Sequence, residues 1–211
     1  MSFTIVDSII NNATLNPDAI AFRYITSFED SPLEVTYKQL FIRTNTIAHF
    51  LKKNAEANSR IMLFYPPGLD YVVAFFGCLL AGMVAVPLYP PRKNSKSDRI
   101  FKVAQSCQSH VALTVGSEIN SVKASWDEQN KSNIELTFFA TDELITDASL
   151  EYIRPDINAE SAAFFQYTSG STGTPKGVVI SHENIIANVR YLSAVSAGNK
   201  DDIFVNWLPL F

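Results

Sequence analysis

The residues best suited to chemistry lie in one stretch, Phe165-Gln166-Tyr167-Thr168-Ser169-Gly170-Ser171-Thr172-Gly173-Thr174-Pro175-Lys176-Gly177-Val178. Between Thr168 and Thr174, five of seven residues carry a hydroxyl and the other two are glycines. Glycine lets the backbone approach a ligand closely. Successive N–H groups in such a turn can form an anion-binding concavity. The hydroxyls add donors, and Lys176 adds a mobile positive charge. Such a set of groups suits a polyphosphate. A flexible Gly/Ser linker is the plain alternative, but linkers are not flanked by tight apolar strands and rarely end in Pro-Lys-Gly.

The stretch does not fit a Walker loop. That pattern needs glycine directly before the lysine and Ser or Thr directly after it. Here Pro175 precedes Lys176 and Gly177 follows it. The context differs as well, because a Walker loop feeds a helix whose N-terminus helps hold the phosphate. Ala162–Tyr167 and Gly177-Val178-Val179-Ile180 both read as strands. The loop therefore joins strand to strand, and backbone and hydroxyls must bind the anion without a helix dipole.

The elements around it alternate. Asp7 to Asn16 reads as a short helix with Ile9, Ile10 and Ala13 on one side and Pro17 ending it. Ala19–Ile25 and Glu34–Thr36 read as a hairpin about Glu29-Asp30-Ser31-Pro32. Leu40, Thr44, Ile47, Ala48 and Leu51 share one face of a helix over Tyr37–Lys53. Then follow a strand at Ile61–Tyr65, a buried helix at Asp70–Ala81 and a strand at Val84–Leu88. After an exposed basic loop, Ser97 can cap a helix whose Ile100, Val103, Ala104 and Cys107 share a face. A strand at Val111–Val115, a weaker helix at Glu118–Asn130 and a strand at Glu135–Ala140 complete the alternation.

Several of these strands are apolar on both faces. The expected fold is therefore α/β, a mostly parallel sheet with helices on both faces. Thr141–Asn158 is polar and reads as a surface connection. Ser181 caps a helix to about Ala194, with Ile185, Ile186 and Val189 inward, and Ile203–Trp207 reads as a last strand. Ligands of open parallel sheets bind outside the carboxyl ends of strands, which is where the hydroxyl-rich loop begins.

Composition narrows the classes. The chain has 211 residues, 47% hydrophobic and 18% charged, which suits a globular domain. A net charge of −4 leaves no basic footprint for nucleic acid. Cys78 and Cys107 are too few for a disulfide framework, the start lacks a signal peptide's basic flank, and the expected compartment is the cytoplasm. Tyr71 to Pro91 is uncharged and long enough to span a membrane. Gly82 and Pro87 interrupt it, so it reads as helix then strand, with no transmembrane segment. The apolar end, Trp207-Leu208-Pro209-Leu210-Phe211, suggests a fragment.

Tyr167 to Gly177 closely resembles the phosphate-loop signature of adenylate-forming enzymes. That family contains acyl-CoA synthetases, fatty acyl-AMP ligases, peptide-synthetase adenylation domains and luciferases. Val35-Thr36-Tyr37-Lys38-Gln39-Leu40 resembles an early family element, and Leu80-Ala81-Gly82-Met83-Val84-Ala85-Val86-Pro87-Leu88 another. Trp207 to Phe211 resembles the lead-in to a further one. Tyr65-Pro66-Pro67-Gly68-Leu69-Asp70 and Pro87-Leu88-Tyr89-Pro90-Pro91-Arg92 are most similar to the fatty acyl-AMP ligases. The resemblance implies that residues 1–211 are the N-terminal part of the family's large domain, with the remainder and the C-terminal domain absent.

The resemblance also implies a reaction: ATP and a fatty acid give acyl-AMP and pyrophosphate, and the acyl group then passes to an acyl carrier protein. It implies that Thr168, Ser169, Ser171, Thr172 and Thr174 donate to the β- and γ-phosphates. Gly170, Gly173 and Gly177 permit the backbone approach, Lys176 is the catalytic charge on the leaving group, and Thr168 is a contact for Mg²⁺. An acyl-CoA synthetase differs only in the acceptor. A nucleotide-binding module without turnover is a reading from a different class.

Other reactive residues have plainer readings. His182 starts a helix, where a charged imidazole is disfavoured, and reads as packing or capping. His49 and His110 lack partners at metal spacing and read as structural. Cys78 and Cys107 read as buried packing residues. Arg92, Lys93, Lys96 and Arg99 form the densest basic patch, which reads as a solvated loop, with docking of an acidic carrier protein as the alternative.

Overall fold

Two periods organise the chain, and each follows from which faces must be hidden. A computed structural model describes residues 3–27, 29–90, 99–130, 134–168, 175–199 and 202–208. It begins with helix α1 (Ile5–Leu15), an antiparallel hairpin of β1 (Ile20–Tyr24) and β2 (Leu33–Thr36), and helix α2 (Tyr37–Asn54). Strand and helix then alternate: β3 (Arg60–Phe64), α3 (Leu69–Ala81), β4 (Val84–Leu88), α4 (Arg99–Cys107), β5 (Val111–Thr114), α5 (Gly116–Gln129) and β6 (Thr137–Ala140). The described elements end with β7 (Ala162–Thr168), β8 (Lys176–Ser181) and α6 (His182–Val195).

Six strands form one sheet in the order β6-β5-β3-β4-β7-β8. All neighbours are parallel except β7 and β8. Side chains alternate between the faces of a strand, and here both faces are apolar. Ile61, Leu63, Ala85, Val111 and Leu113 pack with α1, α2 and α3. Met62, Phe64, Val86, Leu88, Ala112 and Phe138 pack with α4 and α5. This is the expected mostly parallel sheet with helices on both faces, and the expected helix–strand reading of Tyr71 to Pro91 holds in α3 and β4. Among the described residues no helix is long and apolar enough to cross a membrane.

Helix α3 is buried on nearly every side. It ends at Gly82, whose φ of 74° lies in the left-handed region that glycine enters without strain. Met83 N–H then donates to the Cys78 carbonyl at 2.9 Å, closing the helix end. Helix α2 packs so closely on α3 that a Cβ at Gly77 would stand 2.6 Å from Ile47 Cγ2. The α2 face of Leu40, Thr44, Ile47, Ala48 and Leu51 is buried as its spacing implies.

The connection after β6 runs over the surface, as expected, and is strapped down along α2. Its backbone takes side-chain bonds from α2: Asn45 donates to the Leu150 carbonyl at 2.9 Å and Lys52 to the Ile153 carbonyl at 2.7 Å. Arg154 then forks onto Asp7 of α1, with Nη2–Oδ2 at 3.0 Å and a second bond from Nη1 to Oδ1. Asp7 also accepts from the Thr4 amide at 2.7 Å, at the start of α1. The Arg154 guanidinium holds the Asp7 carboxyl well below the usual carboxylate range.

Two expectations fail. Residues 203–207 are not a strand, and Ile203, Phe204, Val205 and Trp207 are exposed. A strand needs a hydrogen-bonded neighbour, and among the described residues this segment has none. Val189 does not point inward. It is exposed, as are Tyr191, Leu192 and Val195, because α6 meets the core mainly through its first turn, where His182 is buried. The expected cap Ser97 lies outside the described residues, as do Arg92, Lys93 and Lys96.

Candidate functional site

The hydroxyl-rich segment is held at both ends by one antiparallel pair. Strand β7 runs parallel to β4, so it shares that strand's direction and ends at the sheet's carboxyl edge. Strand β8 returns from there, with Thr168 paired to Lys176, Tyr167 to Gly177 and Gln166 to Val178. The segment thus joins strand to strand, as its flanking apolar runs imply. Thr168 and Lys176 are both exposed, and Pro175 between loop and strand is buried. Of the expected phosphate contacts, Thr168, Lys176 and Gly177 are therefore brought together at the end of one hairpin. Ser169, Gly170, Ser171, Thr172, Gly173 and Thr174 lie outside the described residues.

An irregularity near the start of β7 sets what faces what. The pairing shifts between Ala162 and Phe164. Ala163 and Phe164 both pack on the α1–α3 side, and Phe165 and Tyr167 pack on the α4–α5 side. A bulge of this kind re-aims the side chains that follow it. It directs the Tyr167 ring against α4, where only 5% of the residue is exposed.

Tyr167 is held by three contacts there. Its hydroxyl donates to Ser106 Oγ at 3.0 Å. Its carbonyl accepts from Arg99 Nη2 at 3.0 Å. Its ring lies over Gly177, where a Cβ would stand 2.8 Å from Tyr167 Cζ. Burial pushes its phenol upward in pKa. Gly177 is thus required by the neighbouring ring, a role distinct from backbone approach to a phosphate. In the sequence Arg99 reads as part of a solvated basic patch, and Ser106 has no evident role. The available signal was their spacing of two helical turns, which puts both on one face.

His182 follows β8 directly. It is 1% exposed, and its Nδ1 has no hydrogen-bond partner among the described residues. Burial lowers its pKa, which fits packing rather than acid–base work. His49 Nε2 lies 2.7 Å from the Glu151 carbonyl and His110 Nδ1 lies 3.3 Å from the Glu135 carbonyl, both structural positions. Cys78 and Cys107 are buried, and burial pushes both thiols up, Cys107 to about 11. Among the described residues no group of three or more His, Cys, Asp or Glu side chains could hold a metal. The Thr168 hydroxyl is an oxygen donor of the kind Mg²⁺ accepts, and it suits an ion that brings phosphate oxygens with it.

Comparisons with known proteins place the chain in a family. The chain is 33% identical over 211 residues to the medium-chain-fatty-acid–[acyl-carrier-protein] ligase JamA of Moorena producens, a match covering 99% of this chain and 36% of that protein. It is 32% identical over 220 residues to the long-chain-fatty-acid–AMP ligase FadD23 of Mycobacterium tuberculosis, covering 100% of this chain and 38% of that protein. The crystal structure of a fatty acyl-adenylate ligase from L. pneumophila in complex with acyl adenylate and pyrophosphate superposes with a TM-score of 0.86 at 28% identity. That match covers 98% of this chain and 35% of the other. The chain spans just over a third of the length of the curated relatives it matches. The family model for AMP-binding enzyme matches residues 10–211, and the chain belongs to that family of adenylate-forming enzymes.

Proposed function

We propose that this chain is the N-terminal part of the large domain of an enzyme that activates a fatty acid as acyl-AMP, and that it contributes the grip on the pyrophosphate end of ATP. The observation that carries the reading is the Thr168–Lys176 pair, which closes a hydroxyl-rich segment at the carboxyl edge of a parallel sheet.

In the reaction, an oxygen of the fatty-acid carboxylate attacks the α-phosphorus of ATP. The bond from that phosphorus to the oxygen bridging to the β-phosphate breaks, and pyrophosphate leaves with that electron pair. Negative charge grows on the leaving group, so donors fixed beforehand lower the barrier. Lys176 supplies a full positive charge, and Thr168, Ser169, Ser171, Thr172 and Thr174 supply hydroxyl donors. Glycine at 170, 173 and 177 leaves room for backbone N–H groups to approach the phosphates. Thr168 would supply one oxygen ligand to Mg²⁺, which would neutralise further charge on the phosphates. The phosphopantetheine thiol of an acyl carrier protein, the acceptor suggested by the similarity to JamA, then loses its proton and attacks the acyl carbonyl carbon, and AMP leaves with the electron pair of the broken C–O bond. Cytoplasmic residence belongs to the same reading, with Cys78 and Cys107 kept as buried free thiols.

The protein carrying this chain should exchange labelled pyrophosphate into ATP when supplied with a medium- or long-chain fatty acid. Absence of exchange with every carboxylate tried would overturn the reading. Offering coenzyme A and carrier protein in parallel identifies the acceptor. Calorimetry with Mg-ATP on residues 1–211 alone, beside a turnover assay, separates binding from catalysis.

A further inference from the structure

We propose that helix α4 positions the ATP-binding segment: Arg99 and Ser106 hold Tyr167, and through it the end of β7 and the entry to residues 168–177. This rests on the phosphate-binding reading above. Arg99 and Ser106 are positioning residues, since both act through Tyr167.

The argument starts from what packing alone requires. The Tyr167 site lies in the core between α4, α5 and the sheet. A phenylalanine ring would fill that space equally well. The hydroxyl bond to Ser106 and the guanidinium bond to the Tyr167 carbonyl are additions that core packing does not need.

What they fix is the geometry of the next residue. A peptide unit is planar, so holding the Tyr167 carbonyl also orients the Thr168 N–H. The Ser106 bond holds the ring, and the ring bears on Gly177 across the hairpin. Thr168 and Lys176 are the next pair outward. Both flanks of the segment are therefore referenced to one side chain, and that side chain to one helix. The parallel ladder to β4 is made at Ala85–Phe164, three residues earlier. At the loop end of β7, α4 supplies the outside support.

Helix α4 is a firm base for this. Phe101, Val103, Ala104 and Cys107 are buried, and the Phe101 ring stacks on Trp126 of α5 at a centroid distance of 4.3 Å. Such outer support matters because a catalytic group displaced by about 1 Å can lose about 10²-fold in rate.

The test uses the protein carrying this chain, with Arg99→Ala, Arg99→Lys, Ser106→Ala, Tyr167→Phe and the Ser106→Ala/Tyr167→Phe pair. Arg99→Ala should raise the KM for ATP about tenfold, the size of one charge-assisted hydrogen bond, and leave the KM for the fatty acid unchanged. Arg99→Lys should recover part of the loss. Ser106→Ala and Tyr167→Phe break the same bond, so the pair should be no worse than the more severe single variant.

Hydrogen exchange gives a readout independent of turnover. Amides of 162–168 and 176–181 should exchange faster in Arg99→Ala, with α1 and the β1–β2 hairpin unchanged. Unchanged exchange in the β7–β8 hairpin, or parallel rises in both KM values, would overturn the proposal. If the unsubstituted protein shows no pyrophosphate exchange, the functional reading fails. The hydrogen-exchange result then decides the positioning claim alone.

Discussion

The ring of Tyr167 stands where a side chain at residue 177 would begin. A carbon at the Cβ position of Gly177 would lie 2.8 Å from Tyr167 Cζ and 3.1 Å from the hydroxyl oxygen. The first is closer than packed atoms come and the second is tight, and the ring is buried and held by Ser106. Gly177→Ala should therefore cost about 1–3 kcal/mol, as overpacking does. Tyr167→Leu in the same chain should recover part of that cost by clearing the ring. Chemical denaturation of the two single variants and the pair checks this. Simple additivity of the two would contradict the contact.

Lys176 is exposed at the end of the hairpin, so little stability depends on it. Lys176→Ala should leave the denaturation midpoint nearly unchanged. The rate of pyrophosphate exchange should fall by roughly 10²-fold, the loss expected for one charge-stabilising donor. A rate equal to that of the unsubstituted enzyme removes Lys176 from the mechanism.

Asp7 ties α1 to the strap through Arg154. Its carboxyl is held below its ordinary value of 3.8, first by the Arg154 bond. A depressed folded-state pKa means that the charged form is stabilised by folding. The contribution is complete above the ordinary value and is lost as pH falls below it toward the folded-state value. Asp7→Asn should cost about 2 kcal/mol at pH 7, as for a hydrogen bond between charged groups. The gap between the two proteins should narrow below about pH 4, where the unfolded carboxyl takes up its proton. Thermal unfolding from pH 7 to pH 3 measures it. A gap constant across that range would contradict the pairing.

Both thiols are buried and shifted upward, so neither forms thiolate readily near neutrality. At pH 8 an aromatic disulfide reagent should label neither Cys78 nor Cys107 in the native protein. Both should react once the chain is unfolded. Rapid labelling of either thiol in native protein would show that its helix opens or that its burial is wrong.

The architecture was largely legible in the residues. Continuous apolar runs such as Ile61–Tyr65 and Val84–Leu88 can be satisfied only by a strand covered on both faces, and these are β3 and β4. The strand-to-strand setting of the hydroxyl-rich stretch was equally local, because it follows from the apolar runs on either side, which are β7 and β8. Element ends were less legible. Helix α1 begins at Ile5, two residues before the expected Asp7, because Asp7 turns back onto the Thr4 amide.

Local patterning by itself determined the sheet, its two covered faces and the strand-to-strand setting of the hydroxyl-rich stretch. Tertiary structure alone decided which distant groups meet. Asp7 and Arg154 are 147 positions apart, and Tyr167 lies 61 positions beyond Ser106. No periodicity encodes such pairs, since each depends on how whole elements dock. The same reason explains Ile203–Trp207, an apolar run that reads as a strand yet has no paired neighbour among the described residues. A strand is a property of two segments, and a sequence window shows only one of them.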